Sequence, residues 1–281
     1  MSKVRLRRSL LFMPGSNARA MEKARTLACD VVVLDLEDAV APSAKESARD
    51  AVCAAVRERR FGARETVVRI NVLSSPWGHA DLAAVRAAKP DAILLPKVND
   101  ASDIAAASDG KIPIWSMIET ARAILNLPAI AASGAGLLVM GTNDLLKEMG
   151  ASPMAARENL WSALSSCVIA ARALGIGVID GSFNGIDDEI GFRASCEQGK
   201  AFGFDGKTLI HPGQIDGCNR IFAPSRQAIA EARRIITAFA DHPGAGAIQL
   251  DGRMVERLHA EVAARLLALA DAVTANVAND T

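Results

Sequence analysis

Two carboxylates occupy positions from which chemistry can be done. The runs Ile114-Trp115-Ser116-Met117-Ile118 and Leu137-Leu138-Val139-Met140 are short, apolar and bounded, and they lead into Glu119 and Asp144. Runs of that kind are the pattern of fully buried strands. The interval between the two acids holds one strand, one helix and two short loops. It therefore predicts neighbouring parallel strands whose C-terminal ends deliver both side chains into one space. Two hard oxygen donors placed that way make a divalent-cation site, Mg2+ before others, completed by water or substrate. Each acid also has a plainer role open to it: Glu119 as the cap of the following helix, Asp144 as the partner of a nearby lysine.

Glu37, Arg69 and Lys97 stand at or just past the ends of three other apolar runs. Together with Glu119 and Asp144 they suggest a site that holds an anionic substrate through a metal and an arginine. Arg69 suits two-pronged capture of a carboxylate. The alternative for Arg69 is an ion pair with Glu37 or Asp38 that only neutralises buried charge. His211 follows the last strand candidate and has two roles open, substrate contact or structural hydrogen bonding. His79, His242 and His259 lack partners at metal-ligand spacing.

The elements that must position these groups can be read in order. Strands are expected at Ser9–Met13, Val31–Leu36, Thr66–Asn71, Ala92–Lys97, Ile112–Ile118, Leu137–Gly141, Gly177–Asp180 and Gly206–Ile210, with helices between them. Asn17 is expected to cap a helix to about Ala28, and other helices to run from Ser43 through Arg60, Trp77 to Ala88 and Met154 to Leu174. Apolar strands alternating with helices are the rhythm of an α/β TIM (β/α)8 barrel, whose active sites form on the face where the strands end. A doubly wound open sheet competes, but nothing resembling G-x-G-x-x-G follows the first strand. Residues 1–241 are read as the barrel domain. Residues 242–281 are read as a linker, His242-Pro243-Gly244-Ala245-Gly246, a turn-bearing extended segment from Ile248 to Met254, and a helix from Val255 to Val273. The apolar stripe of that helix must pack on its own barrel or on a neighbouring subunit, since an isolated helix of this length is marginal in water.

Composition narrows the class. At 281 residues the chain suits one large α/β domain. Lys plus Arg equals Asp plus Glu at 32 each, so charge implies neither a nucleic-acid nor a membrane partner. The cysteines at 29, 53, 167, 196 and 218 are scattered, without C-x-x-C spacing, as in a reduced cytoplasmic protein. The basic start precedes an apolar stretch stopped by Pro14-Gly15, too short for a signal segment or a membrane span.

Six ordered motifs carry a resemblance: Arg8-Ser9-Leu10-Leu11-Phe12-Met13-Pro14-Gly15, Leu34-Asp35-Leu36-Glu37-Asp38-Ala39-Val40, Val68-Arg69-Ile70-Asn71, Ile118-Glu119-Thr120, Gly141-Thr142-Asn143-Asp144-Leu145 and Gly206-Lys207-Thr208-Leu209-Ile210-His211-Pro212-Gly213-Gln214. Together they resemble the citrate lyase beta-subunit-like CoA-ester lyases of the HpcH/HpaI aldolase group, over essentially the whole chain. The resemblance implies a TIM barrel, Mg2+ on Glu119 and Asp144, and a substrate-carboxylate contact from Arg69. It implies CoA near Phe12, Arg19 and Lys23. The family's tail often reads G-[KR]-M-[IV]-D, its acid serving a neighbouring subunit's site as catalytic acid or base. Here the string is Gly252-Arg253-Met254-Val255-Glu256, so the acid is Glu256, one methylene longer. The implied activity is Mg2+-dependent cleavage or formation of a 3-hydroxyacyl-CoA thioester of malyl, citramalyl or citryl type, giving a 2-oxo acid and an acyl-CoA. A homo-oligomer, trimer or hexamer, goes with it. A thioesterase of the same fold, a CoA-independent 2-oxo-acid aldolase and a non-catalytic subunit are the alternatives.

Overall fold

Eight parallel strands close into a barrel in chain order: β1 (Ser9–Pro14), β2 (Val31–Asp35), β3 (Glu65–Arg69), β4 (Ala92–Leu95), β5 (Ile114–Ile118), β6 (Leu137–Met140), β7 (Gly177–Asp180) and β8 (Gly206–Leu209), with β8 paired back to β1. The computed structural model describes residues 5–62 and 64–279. The helices of this part are α1 (Ala18–Ala24), α2 (Lys45–Arg57), α3 (Gly78–Ala88), α4 (Ala101–Ala107), α5 (Ala121–Leu125), α6 (Leu127–Ala132), α7 (Thr142–Glu148), α8 (Trp161–Ala173), α9 (Glu189–Phe202) and α10 (Ile215–Phe222). The barrel expected from the sequence is therefore present. Asn17 caps α1 as expected, its side chain accepting from the Ala20 amide at 2.9 Å.

The strands read as unbroken apolar runs because both of their faces are buried. Leu10, Val31, Val33, Val67, Leu94, Trp115, Met117, Leu137, Val139 and Ile179 fill the barrel interior, with Phe12 partly buried above them. By alternation, Leu11, Val32, Leu34, Val68, Ile93, Leu138 and Val178 face the helices, and all are fully buried.

One charged cluster interrupts this outer apolar layer. Asp180 and Lys207 are paired in register on β7 and β8, and Lys207 Nζ donates to Asp180 Oδ2 at 2.7 Å with both side chains 0% exposed. Arg157 Nη1 donates to Asp180 Oδ1 at 2.7 Å, and its Nε to Gln198 on α9 at 2.7 Å. An added Cβ at Gly199 would lie 2.6 Å from Asp180 Oδ2, so α9 has a glycine where it passes the carboxylate. This cluster explains where the sequence reading of the helix from Met154 departs from the structure. Arg157 takes a left-handed backbone (φ 54), which breaks the helix and turns its side chain to Asp180, and α8 starts only at Trp161.

Contacts divide the described residues into two compact units, Arg7–Asn219 and a second one that runs from Arg220 and includes residues 5 and 6. The second unit contains α11 (Arg226–Ala240), a helix the sequence reading did not single out. It also contains the antiparallel pair β9 (Ala247–Leu250) and β10 (Arg253–Glu256), and α12 (Arg257–Asn279). The hairpin turns at Asp251-Gly252, both at positive φ (51 and 75), as a type I′ turn requires. Arg253 pairs with Glu231 at 2.9 Å, and Arg234 with Asp251. The final helix begins two residues later than Val255, so Glu256 ends a strand instead of opening a helix.

Replacing Asp180 with alanine is expected to cost about 3–5 kcal/mol of stability, because it leaves the Lys207 ammonium buried and unpaired. Burial works against the Asp180 carboxylate, but Lys207 and Arg157 outweigh it and hold its pKa below the ordinary range. A depressed folded pKa contributes stability that is fully present above the unfolded value, about 3.9, and lost as pH falls through the folded value. Denaturant unfolding from pH 7 to pH 2 should show this loss in the wild type below about pH 4 and a smaller slope in Asp180→Ala. Equal slopes would remove the carboxylate from the linkage.

Candidate active site

A cavity of about 350 Å3 opens at the C-terminal mouth of the barrel, and Arg69, Glu119, Asp144 and Phe12 all line it. Its charged side is built from β2, β3 and β4. Asp35 on β2 and Arg69 on β3 are register partners. Arg69 Nε and Nη2 donate to Asp35 Oδ1 and Oδ2, each at 2.7 Å, while Asp35 also accepts from the amides of Glu37 and Ala39 at 2.9 and 3.1 Å. Arg69 Nη1 lies 2.9 Å from Glu37 Oε2 and 3.9 Å from Asp38, and the guanidinium carbon is 5.0 Å from the Phe12 ring centroid. Lys97 Nζ donates to the other Glu37 oxygen at 2.8 Å. Lys45 fixes this loop from behind, donating to the carbonyls of Leu36 and Glu37 at 2.9 and 2.7 Å.

Arg69 therefore meets both expectations made for it in part. It sits at the cavity, and it is also ion-paired to Glu37. The edge of its guanidinium suited to two-pronged carboxylate capture is taken by Asp35, so what it presents onward is Nη1. Asp35 was not assigned a role from the sequence. The signal was there, since Asp35 keeps the phase of Val31 and Val33, both interior residues.

Glu119 follows β5 directly and is 1% exposed. Its Oε1 accepts from the Lys97 amide at 2.7 Å, which Lys97 aims by adopting a left-handed backbone (φ 50). Burial pushes the Glu119 carboxyl up to about 7, opposed by the Lys97 amide and Arg69 and reinforced by the charge of Glu37. Gly141 leaves room for it: a Cβ there would lie 2.4 Å from Glu119 Oε2 and from its Cβ. Asp144 lies in the first turn of α7, not at the end of β6 as read from the sequence, yet it lines the same cavity.

Two carboxylates in one cavity, one of them buried with its charge under-compensated, fit a hard dication. Among the described residues no group of three or more His, Cys, Asp or Glu side chains is arranged to hold a metal. A hard cation such as Mg2+ is commonly held by one or two carboxylates, with water or substrate filling its other positions.

Of the other residues named from the sequence, Phe12 lines the cavity, whereas Arg19 and Lys23 lie one turn apart on α1 with exposed side chains. His211 is exposed, its Nδ1 accepting from the Gly213 amide at 3.1 Å. Glu256 ends β10 and its amide donates to His259 Nδ1 at 3.0 Å.

The HpcH/HpaI aldolase/citrate lyase family profile matches residues 8–212. The chain belongs to that family. A (3S)-malyl-CoA thioesterase from Cereibacter sphaeroides is 46% identical over 276 residues, covering 95% of this chain and 96% of that protein. The citrate lyase subunit beta of Escherichia coli (strain K12) is 32% identical and covers 90% of each chain. Among solved structures, the CitE protein from Mycobacterium tuberculosis in complex with magnesium, acetoacetate and coenzyme A superposes with TM-score 0.82 at 30% identity. It covers 95% of this chain and 100% of its own.

Gly141→Ala is expected to displace Glu119 and weaken Mg2+ binding at least tenfold by isothermal titration calorimetry, with the barrel still folded by circular dichroism. Unchanged affinity would separate Glu119 from the cation. Because the free carboxyl titrates near 7 and must be ionised to bind, Mg2+ uptake should release a proton at pH 6 and almost none at pH 8.5. Titration in two buffers of different ionisation enthalpy measures that release.

Proposed function

We propose that the protein is a Mg2+-dependent carbon–carbon lyase that cleaves, or in reverse forms, a 3-hydroxyacyl-CoA thioester of malyl, citramalyl or citryl type, giving a 2-oxo acid and an acyl-CoA. The observation that carries this reading is the convergence of Glu119, Asp144 and the Arg69 guanidinium on one barrel-mouth cavity. The M. tuberculosis relative bound to magnesium, acetoacetate and coenzyme A supports it.

Glu119 and Asp144 would hold the ion. Bound Mg2+ supplies Lewis-acidic charge at the end of the substrate that carries the carboxylate and hydroxyl. Arg69 presents Nη1 to the substrate carboxylate, and the Asp35 pair keeps the guanidinium from following it. A base takes the hydroxyl proton, the bond between C2 and C3 breaks, and protonation at C2 yields the acyl thioester. Phe12 flanks the acyl end, and Arg19 with Lys23 offers two cations on one face of α1 for the phosphates of CoA.

Glu256 of a neighbouring copy is the acid or base in this reading, which makes the protein a homo-oligomer, trimer or hexamer. Met254, Leu258 and Val262, spaced four apart around the β10–α12 junction, are more than half exposed, and such a stripe calls for a covering surface. Among the described residues no helix is long and apolar enough to cross a membrane. All five cysteines are unpaired and buried, in keeping with a reducing, cytoplasmic setting.

A second reading, hydrolysis of the same thioester, is favoured by the relatives at 45–46% identity, which are (3S)-malyl-CoA thioesterases. A panel of 3-hydroxyacyl-CoA esters assayed with Mg2+ for both 2-oxo acid and free thiol decides between them. Acyl-CoA with a 2-oxo acid means cleavage, and free CoA with an intact hydroxy acid means hydrolysis. Glu119→Gln and Asp144→Asn are each expected to lower turnover by about a thousandfold, the size of losing a principal charge-stabilising group, with folding intact. Near wild-type, Mg2+-stimulated activity in either would end the metal assignment. Mixing Glu256→Gln with Glu119→Gln subunits under exchange conditions should restore activity, since one copy then supplies the tail and the other the metal site. No recovery in proven mixed oligomers would confine Glu256 to its own copy or to packing.

A further inference from the structure

The cavity has two halves of different chemistry. On the β2–β4 side every polar group is a full charge paired with another. In a closed barrel of eight strands, β7 and β8 lie across from β3 and β4. That side contributes no charged side chain to the lining, and its polar groups are the hydroxyls of Ser182 and Thr208. Thr208 on β8 is in register with Leu10 of β1, which belongs to the barrel interior, so its side chain is turned inward. It is 4% exposed. Among the described residues neither hydroxyl has a side-chain hydrogen bond, and neither is among the fully shielded polar atoms, so both are open to the cavity they line. Thr142, the third hydroxyl of the lining, is turned against Gly181, where an added Cβ would lie 2.5 Å from its Oγ1. A hydroxyl held on the barrel wall, open to the cavity and without a protein partner, has its O–H free to donate to a ligand atom or water that enters.

The substrate class proposed above has one polar atom left for this side. Its carboxylate and hydroxyl belong with the cation ligands and Arg69, and its thioester carbonyl oxygen is a neutral acceptor that needs a donor. We infer that Thr208, with Ser182 on the neighbouring strand end, is the donor site for that carbonyl oxygen, an assignment that rests on the functional reading above.

The same oxygen gains charge in either outcome. In cleavage, the electron pair of the broken C2–C3 bond passes to C2 and the carbonyl oxygen as the enolate, and a proton then returns to C2. In hydrolysis, water adds to the carbonyl carbon and the oxygen becomes an oxyanion. As the charge returns, the C–S bond breaks and the thiolate takes the second proton of water. A hydroxyl donor fixed on a strand serves both without reorganising as the charge develops.

The test is Thr208→Val, which removes the hydroxyl at nearly constant volume, beside Thr208→Ser, which keeps it, and Ser182→Ala. With malyl-CoA and Mg2+, Thr208→Val should lower kcat by about a hundredfold for whichever product the wild type forms, with KM changed far less. Thr208→Ser should recover most of that loss, and Ser182→Ala should fall between. Mg2+-dependent binding of pyruvate, which has no thioester, should stay within about twofold of wild type in all three, the margin expected when no contact to the ligand is lost. Unchanged kcat in Thr208→Val overturns the assignment, as does loss of pyruvate binding alongside kcat, which would mark a structural role. A wild type inactive on the whole thioester panel overturns the functional reading and this assignment with it.

Discussion

Asp35 and Arg69 face each other across the seam between β2 and β3, joined by two hydrogen bonds of 2.7 Å in the interior of the barrel mouth. Neither charge could be withdrawn from water alone, and removing Arg69 would leave the Asp35 carboxylate buried without its ion-pair partner. Once paired, they set a chain of further positions. Asp35 still accepts two loop amides, which orients Glu37. Glu37 then bridges Arg69 and Lys97. Lys97, anchored at its side chain, turns its amide to Glu119. Glu119, the candidate cation ligand, is thus at the end of a sequence of charge-assisted contacts that begins at the β2–β3 seam.

That chain accounts for the electrostatics of Glu119. Arg69 is the strongest cation near it, but its charge is shared with Asp35 and Glu37. Burial therefore prevails and the carboxyl is pushed up to about 7. A carboxylate in this condition gains more from an incoming dication than one already neutralised by a lysine or arginine, and as a metal ligand it would exchange its proton for the ion near neutral pH. Gly141 completes the arrangement by omission, since any side chain there would occupy the space of the Glu119 carboxylate.

The barrel was legible in the sequence because strands buried on both faces are apolar without interruption, and because polar residues at their ends are conspicuous against that background. Glu37, Arg69, Lys97 and Glu119 were found in that way. The rest was hidden for physical reasons. The partner of Arg69 depends on strand register, which the chain order of two separate runs does not reveal. Arg157 breaks the expected helix because its side chain is drawn to Asp180, a tertiary interaction overriding good helical propensity. Asp144 reaches the cavity from a helical turn, although the apolar run before it pointed to a strand end. The Asp251-Gly252 turn was readable as an extended segment with a bend, but pairing its two arms moved Glu256 from helix to strand.

The division of the cavity into a charged half and a hydroxyl half bears on why relatives of one family carry the names of lyases and of thioesterases. In the proposed function the charged half would act on the carboxylate and hydroxyl end of the substrate, and the hydroxyl half would face the carbonyl whose oxygen gains charge in both reactions. Neither half distinguishes cleavage from hydrolysis by the charge it stabilises. The distinction must then lie in what reaches the carbonyl carbon and C3: a base at the substrate hydroxyl breaks the carbon–carbon bond, whereas an ordered water at the carbonyl breaks the thioester. In that reading Glu256, on an arm one methylene longer than the family pattern, would set where a proton is taken without altering the barrel at all.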